Sequence, residues 1–348
     1  MCLIKRITGA ALIIGILGGS AHAATVYDQD GTRLDVYGRI AMSIAGGGPV
    51  EDDKKNSAEF RNLGSRLGIR AEHNITSDLS AFAGIQWRFN ADELSQPGFT
   101  EVRHSYIGLA SPRWGQVQVG SFDSPYKKRI MVPFDVYRDK GYEFSGSGTQ
   151  ARGDSIAYLT PEIEGFSGFL MAKHFSERGN RLADQSERGS VIATQGGAVY
   201  EAAPLRLALG YVEDTLRGGG NGKNIYGATA SANLTDMLSG RLGYEYRGDH
   251  GVYGGGFKRA GVGASADLGD WELHLDYYHI RPEHSDNSRN AWAAGTHYQL
   301  SPQLDFFAEL NNADMKSIRS LSDANDNQGH RENLKEDLYY AIGARYNF

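Results

Sequence analysis

Nine arginines lie in the first third of the chain, and five of them, Arg39, Arg66, Arg70, Arg88 and Arg103, could act together. Arginine keeps its charge when crowded, because its pKa exceeds about 12. Such a set can hold fixed positive charge in contact with water and attract or steer anions. A second charged stretch, 123–152, mixes Lys127, Lys128, Arg129, Arg138 and Lys140 with Asp123, Asp135, Asp139 and Glu143. Fixed positive charge facing a carboxylate cluster sets up a transverse field. One pair about 10 Å apart in bulk water is worth only about 0.4 kcal/mol. Several charges in a narrow passage with low-dielectric walls focus that field to several kT. The charges of the 123–152 stretch nearly cancel, so composition leaves ion preference open. The alternative use of the arginines is solvation, or pairing with Glu72 or Asp35.

Other chemistry has weaker support. The chain contains no G-x-S-x-G, no H-E-x-x-H and no Walker A motif; Gly220-Asn-Gly-Lys-Asn224 lacks the glycine spacing and the hydroxyl. Asp323, Asn325 and Asn327 hint at a calcium loop, but glycine is one place late and Leu334 occupies the closing acidic position. The ten histidines show no ligand spacing. An enzyme, a cofactor and a nucleic-acid partner are therefore not expected.

The elements that position these charges are strands. From Leu338 to Phe348 every second residue is apolar: Leu338, Tyr340, Ile342, Ala344, Tyr346 and Phe348. Period-2 alternation marks a strand with two different environments. Similar runs cover 33–45, 65–74, 79–90, 100–110, 115–122, 153–160, 168–176, 190–201, 205–213, 223–234, 237–247, 256–267, 271–281, 289–299, 303–312 and 336–348. On the cleaner ones the opposite face carries charge. Leu34, Val36, Ile40 and Ile44 oppose Asp35, Tyr37 and Arg39; Leu238, Leu242 and Tyr244 oppose Arg241, Glu245 and Arg247. In the run 100–110 the parity fails, since Arg103 shares it with Ile107 and Leu109. Connections alternate between short turns and long polar segments, as in outer-membrane barrels. Sixteen strands leave a water-filled interior able to hold charges that a dry core could not.

Composition agrees. Hydrophobic residues make up 40% and mean hydropathy is −0.45, with no second apolar run long enough for a membrane helix. A barrel escapes that test because only alternate residues face lipid. Lys5-Arg6, an apolar run Ile7–Leu17 and Ala21-His-Ala23 read as a cleaved export signal over 1–23. The mature chain is expected to be one domain, 24–348. The single cysteine, Cys2, falls in the signal, so no disulfide is expected.

Several segments together resemble the general Gram-negative porins. They are Leu34-Asp-Val-Tyr-Gly-Arg, Ser65-Arg-Leu-Gly-Ile-Arg-Ala-Glu, His104-Ser-Tyr-Ile-Gly-Leu-Ala with Trp114-Gly-Gln-Val-Gln-Val-Gly-Ser-Phe-Asp, Gly153-Asp-Ser-Ile-Ala-Tyr-Leu-Thr-Pro and Ala341-Ile-Gly-Ala-Arg-Tyr-Asn-Phe. The resemblance implies an all-β transmembrane antiparallel barrel of about 16 strands, assembled as a homotrimer in outer-membrane lipid and lipopolysaccharide. It implies that the third long loop, 123–152, folds into the lumen as a constriction. Wall residues would be Arg39, Arg66, Arg70, Arg103 and Arg152, and loop acids Asp135, Asp139 and Glu143. It also implies that the terminal Phe348 signals to the outer-membrane assembly machinery. The function implied is passive diffusion of small hydrophilic solutes and ions. Its rivals are an anion- or sugar-selective porin, an outer-membrane enzyme and a plugged adhesion barrel.

Overall fold

The computed structural model describes residues 23–47, 58–93, 96–145, 152–177, 189–283, 288–312 and 338–348. Residues 1–22 of the expected export signal, residues 146–151 of the expected constriction loop and the segment 323–334 lie outside the described residues.

Almost all of the described chain is strand: β1 (Ala24–Gln29), β2 (Thr32–Gly47), β3 (Glu59–Asn62), β4 (Arg66–Thr76), β5 (Leu79–Asn90), β6 (Gly98–Ser111), β7 (Gly115–Ser121), β8 (Ser155–Leu159), β9 (Phe166–Phe175), β10 (Val191–Ala202), β11 (Leu205–Asp214), β12 (Lys223–Asn233), β13 (Leu238–Arg247), β14 (Phe257–Asp267), β15 (Trp271–Pro282), β16 (Arg289–Gln299), β17 (Leu304–Asn311) and β18 (Tyr339–Asn347). Successive strands pair antiparallel, and β18 returns to β2 with Tyr339 opposite Gly47 and Asn347 opposite Arg39. The ring is therefore closed and has no edge to protect. β3 and β4 share one side of β2, and β1 covers the part of the other side that β18 leaves free. The eighteen segments thus occupy sixteen places round the barrel.

The faces are inverted relative to a soluble protein. On β15, Trp271, Leu273, Leu275 and Tyr277 are exposed, while His274, Asp276 and Tyr278 are buried. On β13, Leu242 and Tyr244 are exposed and Arg241, Glu245 and Arg247 are buried. Lipid outside and polar groups inside explain both halves of the pattern. Aromatic pairs stand outward near the short turns, with Trp271 on Tyr298 at 4.8 Å and Phe166 on Tyr200 at 4.5 Å, where interfacial rings belong.

The parity failure in β6 has a structural cause. Gln86 faces His104 but its neighbour Trp87 faces Val102, so Arg103 is an extra residue in the ladder. This bulge lets Arg103 and His104 both turn to the charged face, while Val102, Ile107 and Leu109 stay outward.

Phe348 and Ala24 both pair with the same edge of β2. Phe348 exchanges two backbone hydrogen bonds with Gly38, at 2.7 and 3.0 Å, and its ring lies against the space where a Gly38 side chain would be. Ala24 pairs with Val36, two residues along. The β1–β2 hairpin continues past this seam to a turn at Asp30-Gly31, so Phe348 is set back from the barrel's outermost edge.

Candidate channel lining

Cross-strand register builds the arginine set into a row. Arg39 on β2 lies directly opposite Arg66 on β4, and Arg66 directly opposite Arg88 on β5. Directly paired residues share a face, so three cations stand side by side, and the β6 bulge adds Arg103 beside them. Like charges so placed repel and need water, acceptors or acids around them. Arg39 donates to the backbone oxygens of Leu63 and Gly64 at 3.1 and 3.4 Å. Among the described residues, neither Arg39 nor Arg66 has a carboxylate partner. Arg70 stacks on the Tyr37 ring at 5.0 Å.

Two acids outside the expected constriction set balance the far end of the row. Asp123, the second residue after β7, accepts from Arg103 at 2.6 Å and lies 3.2 Å from His104. Glu101 lies 3.2 Å from Arg88 and accepts from Arg152 at 3.0 Å. Arg152 reaches Glu101 from a left-handed backbone conformation, φ 63°, ahead of β8. Burial opposes the charge on Asp123, but His104, Arg103 and Lys128 outweigh it, and its carboxyl is held well below the usual range.

The segment 123–145 runs along the charged face of the far strands from β10 to β18, and its last residues turn back to β16 and β13. Ser124 and Tyr126 bind Gln195 on β10, and the Tyr126 hydroxyl donates to Glu245 on β13 at 2.9 Å. A single π-helical turn over Tyr126–Met131 follows. The Thr229 hydroxyl of β12 donates to the Ile130 carbonyl at 2.6 Å. Phe134 and Phe144 pack edge-on to each other at 4.8 Å and against Tyr278 of β15. The Tyr137 hydroxyl donates to the Ala293 carbonyl on β16. The Arg138 and Asp139 amides donate to Glu309 on β17.

This close approach is possible because glycines line the track. Gly197, Gly210, Gly227, Gly243 and Gly261 lie on five successive strands. A Cβ on Gly243 would sit 2.7 Å from both Phe134 and Phe144, so any side chain there must displace these two rings.

The three expected loop acids bind elsewhere than the arginine row. Asp135 pairs with Lys127 at 3.3 Å. Asp139 pairs with Arg61 on β3 at 3.4 Å and accepts from the Tyr339 hydroxyl. Glu143 is buried against Arg289 on β16, which donates to both of its oxygens at 3.1 and 3.2 Å. Among the described residues no hydrogen bond or ion pair joins these acids to Arg39, Arg66, Arg70, Arg103 or Arg152. Arg61, Glu101, Asp123 and Arg289 carried no sequence signal beyond their charge, because their partners lie far off in the chain.

Comparison with known proteins follows the same lines. A family model described as Gram-negative porin matches residues 9–317. A monosaccharide porin from a Halomonas species is 31% identical over 223 residues, 60% of this chain and 59% of that one. The match thus spans less than two thirds of that relative's length. The major outer membrane protein of Pasteurella multocida is 24% identical over 334 residues, 88% of this chain and 92% of that one. An anion-selective porin from Comamonas acidovorans superposes with a TM-score of 0.68 at 18% identity, over 91% of this chain and 100% of that one.

Proposed function

The chain belongs to the Gram-negative porin family of the outer membrane, and on that premise we propose that it forms a water-filled channel for passive diffusion of small hydrophilic solutes and ions. The observation that carries this is the inverted barrel: sixteen places, apolar outside, charged inside. A folded barrel that carried no current in planar bilayers would overturn it.

The constriction is the segment 123–145. It leaves the ring between β7 and β8, and its contacts continue round the charged face as far as β18. A segment that reaches the opposite wall crosses the lumen and narrows it. The positive side is Arg39, Arg66, Arg70 and Arg103, with Arg152 at the rim of the cluster and Glu101 and Asp123 as its nearest acids. Asp139 and Glu143 hold the segment to the wall through Arg61 and Arg289, while Asp135 pairs with Lys127 within the segment.

A preference for anions is the second reading. Arg39 and Arg66 face the lumen without a carboxylate, so an entering anion meets uncompensated positive charge. The Comamonas protein is described as anion-selective and the Halomonas protein as a monosaccharide porin; the arginine row favours the first property for this chain. A reversal potential in a KCl gradient tests it, and a cation preference would dismiss it.

The homotrimer, the lipopolysaccharide contacts and the assembly role of Phe348 rest on family membership. Cleavage after Ala23 and a single mature domain rest on sequence. Light scattering of detergent-extracted protein tests the trimer, and N-terminal sequencing starting at Ala24 tests the cleavage.

A further inference from the structure

Three side chains that the channel reading leaves unused converge on the charged face near the turn 268–270. Glu272 on β15 lies directly opposite His297 on β16, and His274 follows two residues along on the same face. One Glu272 carboxylate oxygen lies 3.6 Å from His274 Nε2 and 3.7 Å from His297 Nδ1. The two ring nitrogens are 3.3 Å apart. With metal–ligand distances of about 2.0–2.2 Å, a tetrahedral Zn2+ needs ligand atoms about 3.3–3.5 Å apart. The triangle matches that edge length within a few tenths of an ångström.

The outer nitrogens have their own partners. The Ser265 hydroxyl oxygen lies 2.7 Å from His274 Nδ1, and a Glu309 carboxylate oxygen 3.3 Å from His297 Nε2. If each ring donates its outer N–H there, both inner nitrogens present lone pairs to the Glu272 oxygen. Such outer partners fix the tautomer and orientation of metal-binding histidines. Three lone pairs pointing at one another are relieved by a cation. Both histidines are buried, while the Glu272 side chain is 53% exposed, which leaves a fourth position open to water.

We propose that Glu272, His274 and His297 form a site for a borderline divalent transition metal of the Zn2+ class on the lumen wall. Two imidazoles with one carboxylate suit zinc, cobalt, nickel or copper and disfavour the oxygen-seeking Mg2+. The site adjoins the constriction: the Tyr137 ring lies edge-on to His274 at 6.3 Å, and Glu309 also accepts the Arg138 and Asp139 amides. A bound ion therefore adds positive charge beside the place where the segment is anchored.

The test uses the full folded chain in detergent, stripped of metal and without a histidine tag. Calorimetric titration with ZnCl2 near neutral pH should show one saturable site per chain, and MgCl2 none. CoCl2 should give the visible absorption of a four-coordinate nitrogen and oxygen site. Glu272→Gln, an exposed change that spares folding, and His297→Asn should each weaken zinc binding about tenfold or more. His279→Asn, on the opposite face of β15 beside Asn290, should leave it unchanged. Absence of saturable zinc uptake by the unaltered protein would overturn the proposal. So would undiminished affinity in the folded Glu272→Gln variant, which would leave the three side chains a hydrogen-bonded cluster that takes up a proton instead.

Discussion

The ion pair between Glu143 and Arg289 is the most demanding lock on the constriction. Both side chains are 4% exposed. Arg289 donates to both carboxylate oxygens and also to the Asn312 carbonyl at 3.1 Å. Glu143→Gln keeps the volume but removes the carboxylate that accepts from two of the buried guanidinium's N–H groups. Breaking such a pair costs about 3–5 kcal/mol. The barrel ladder does not depend on either side chain, so the cost falls on the docked position of the segment 123–145. At about 1.4 kcal/mol per factor of ten, docking weakens by roughly two to three and a half orders of magnitude. The segment carries Lys127, Lys128, Arg129, Arg138 and Lys140, so trypsin reports its release directly. The unaltered protein in detergent should resist cutting there. The variant should be cut between 127 and 140 while the barrel stays intact, with fragments read by mass spectrometry and a noisier open-channel current. Arg289→Gln should do the same, and the double variant should lose less than the two single losses combined, as coupled pairs do. Equal trypsin resistance and equally quiet current in both single variants would refute the reasoning.

Other outcomes follow from the same geometry. Replacing Arg39 and Arg66 together by alanine removes two charges, each worth on the order of 1 kcal/mol to an ion about 4 Å away in bulk-like water; the anion-to-cation permeability ratio should fall about fivefold or more, read from reversal potentials. Gly243→Val places side-chain atoms where Phe134 and Phe144 lie, so it should displace the segment, enlarge the conductance step and leave the β-sheet circular dichroism unchanged. Phe348→Ser should lower the amount of folded protein in the outer membrane more than its synthesis, whereas Asn347→Ser should have little effect; fractionation with heat-modifiable gel mobility checks both.

The barrel was legible because lipid and water write opposite residues on alternate positions. Most strands between Leu34 and Tyr346 are readable from parity alone; the short β3 (Glu59–Asn62) is not, since it lies between the predicted runs 33–45 and 65–74. β1 escaped it because Ala24–Gln29 is exposed along its whole length and shows no alternation. Arg103 was legible as a charge but not as an inward one, since the bulge that turns it belongs to the pairing of β5 with β6. The arginine row was readable in kind. Its neighbours were not, because Glu143–Arg289 and Asp139–Arg61 join residues 146 and 78 apart in sequence. The same holds for Glu272, His274 and His297, which show no ligand spacing along the chain and meet only through strand register. The glycine track was hidden among 45 glycines until the register aligned five of them under one loop.

Single-channel recording of the purified protein in a planar lipid bilayer tests the central account most directly. Discrete, long-lived current steps that vary linearly with voltage, grow with salt concentration and reverse on the anion side in a KCl gradient are the expected result. A correctly folded barrel that inserts yet passes no current, or one whose reversal potential marks it as cation-selective with Arg39 and Arg66 in place, would contradict a lumen lined by an open arginine row.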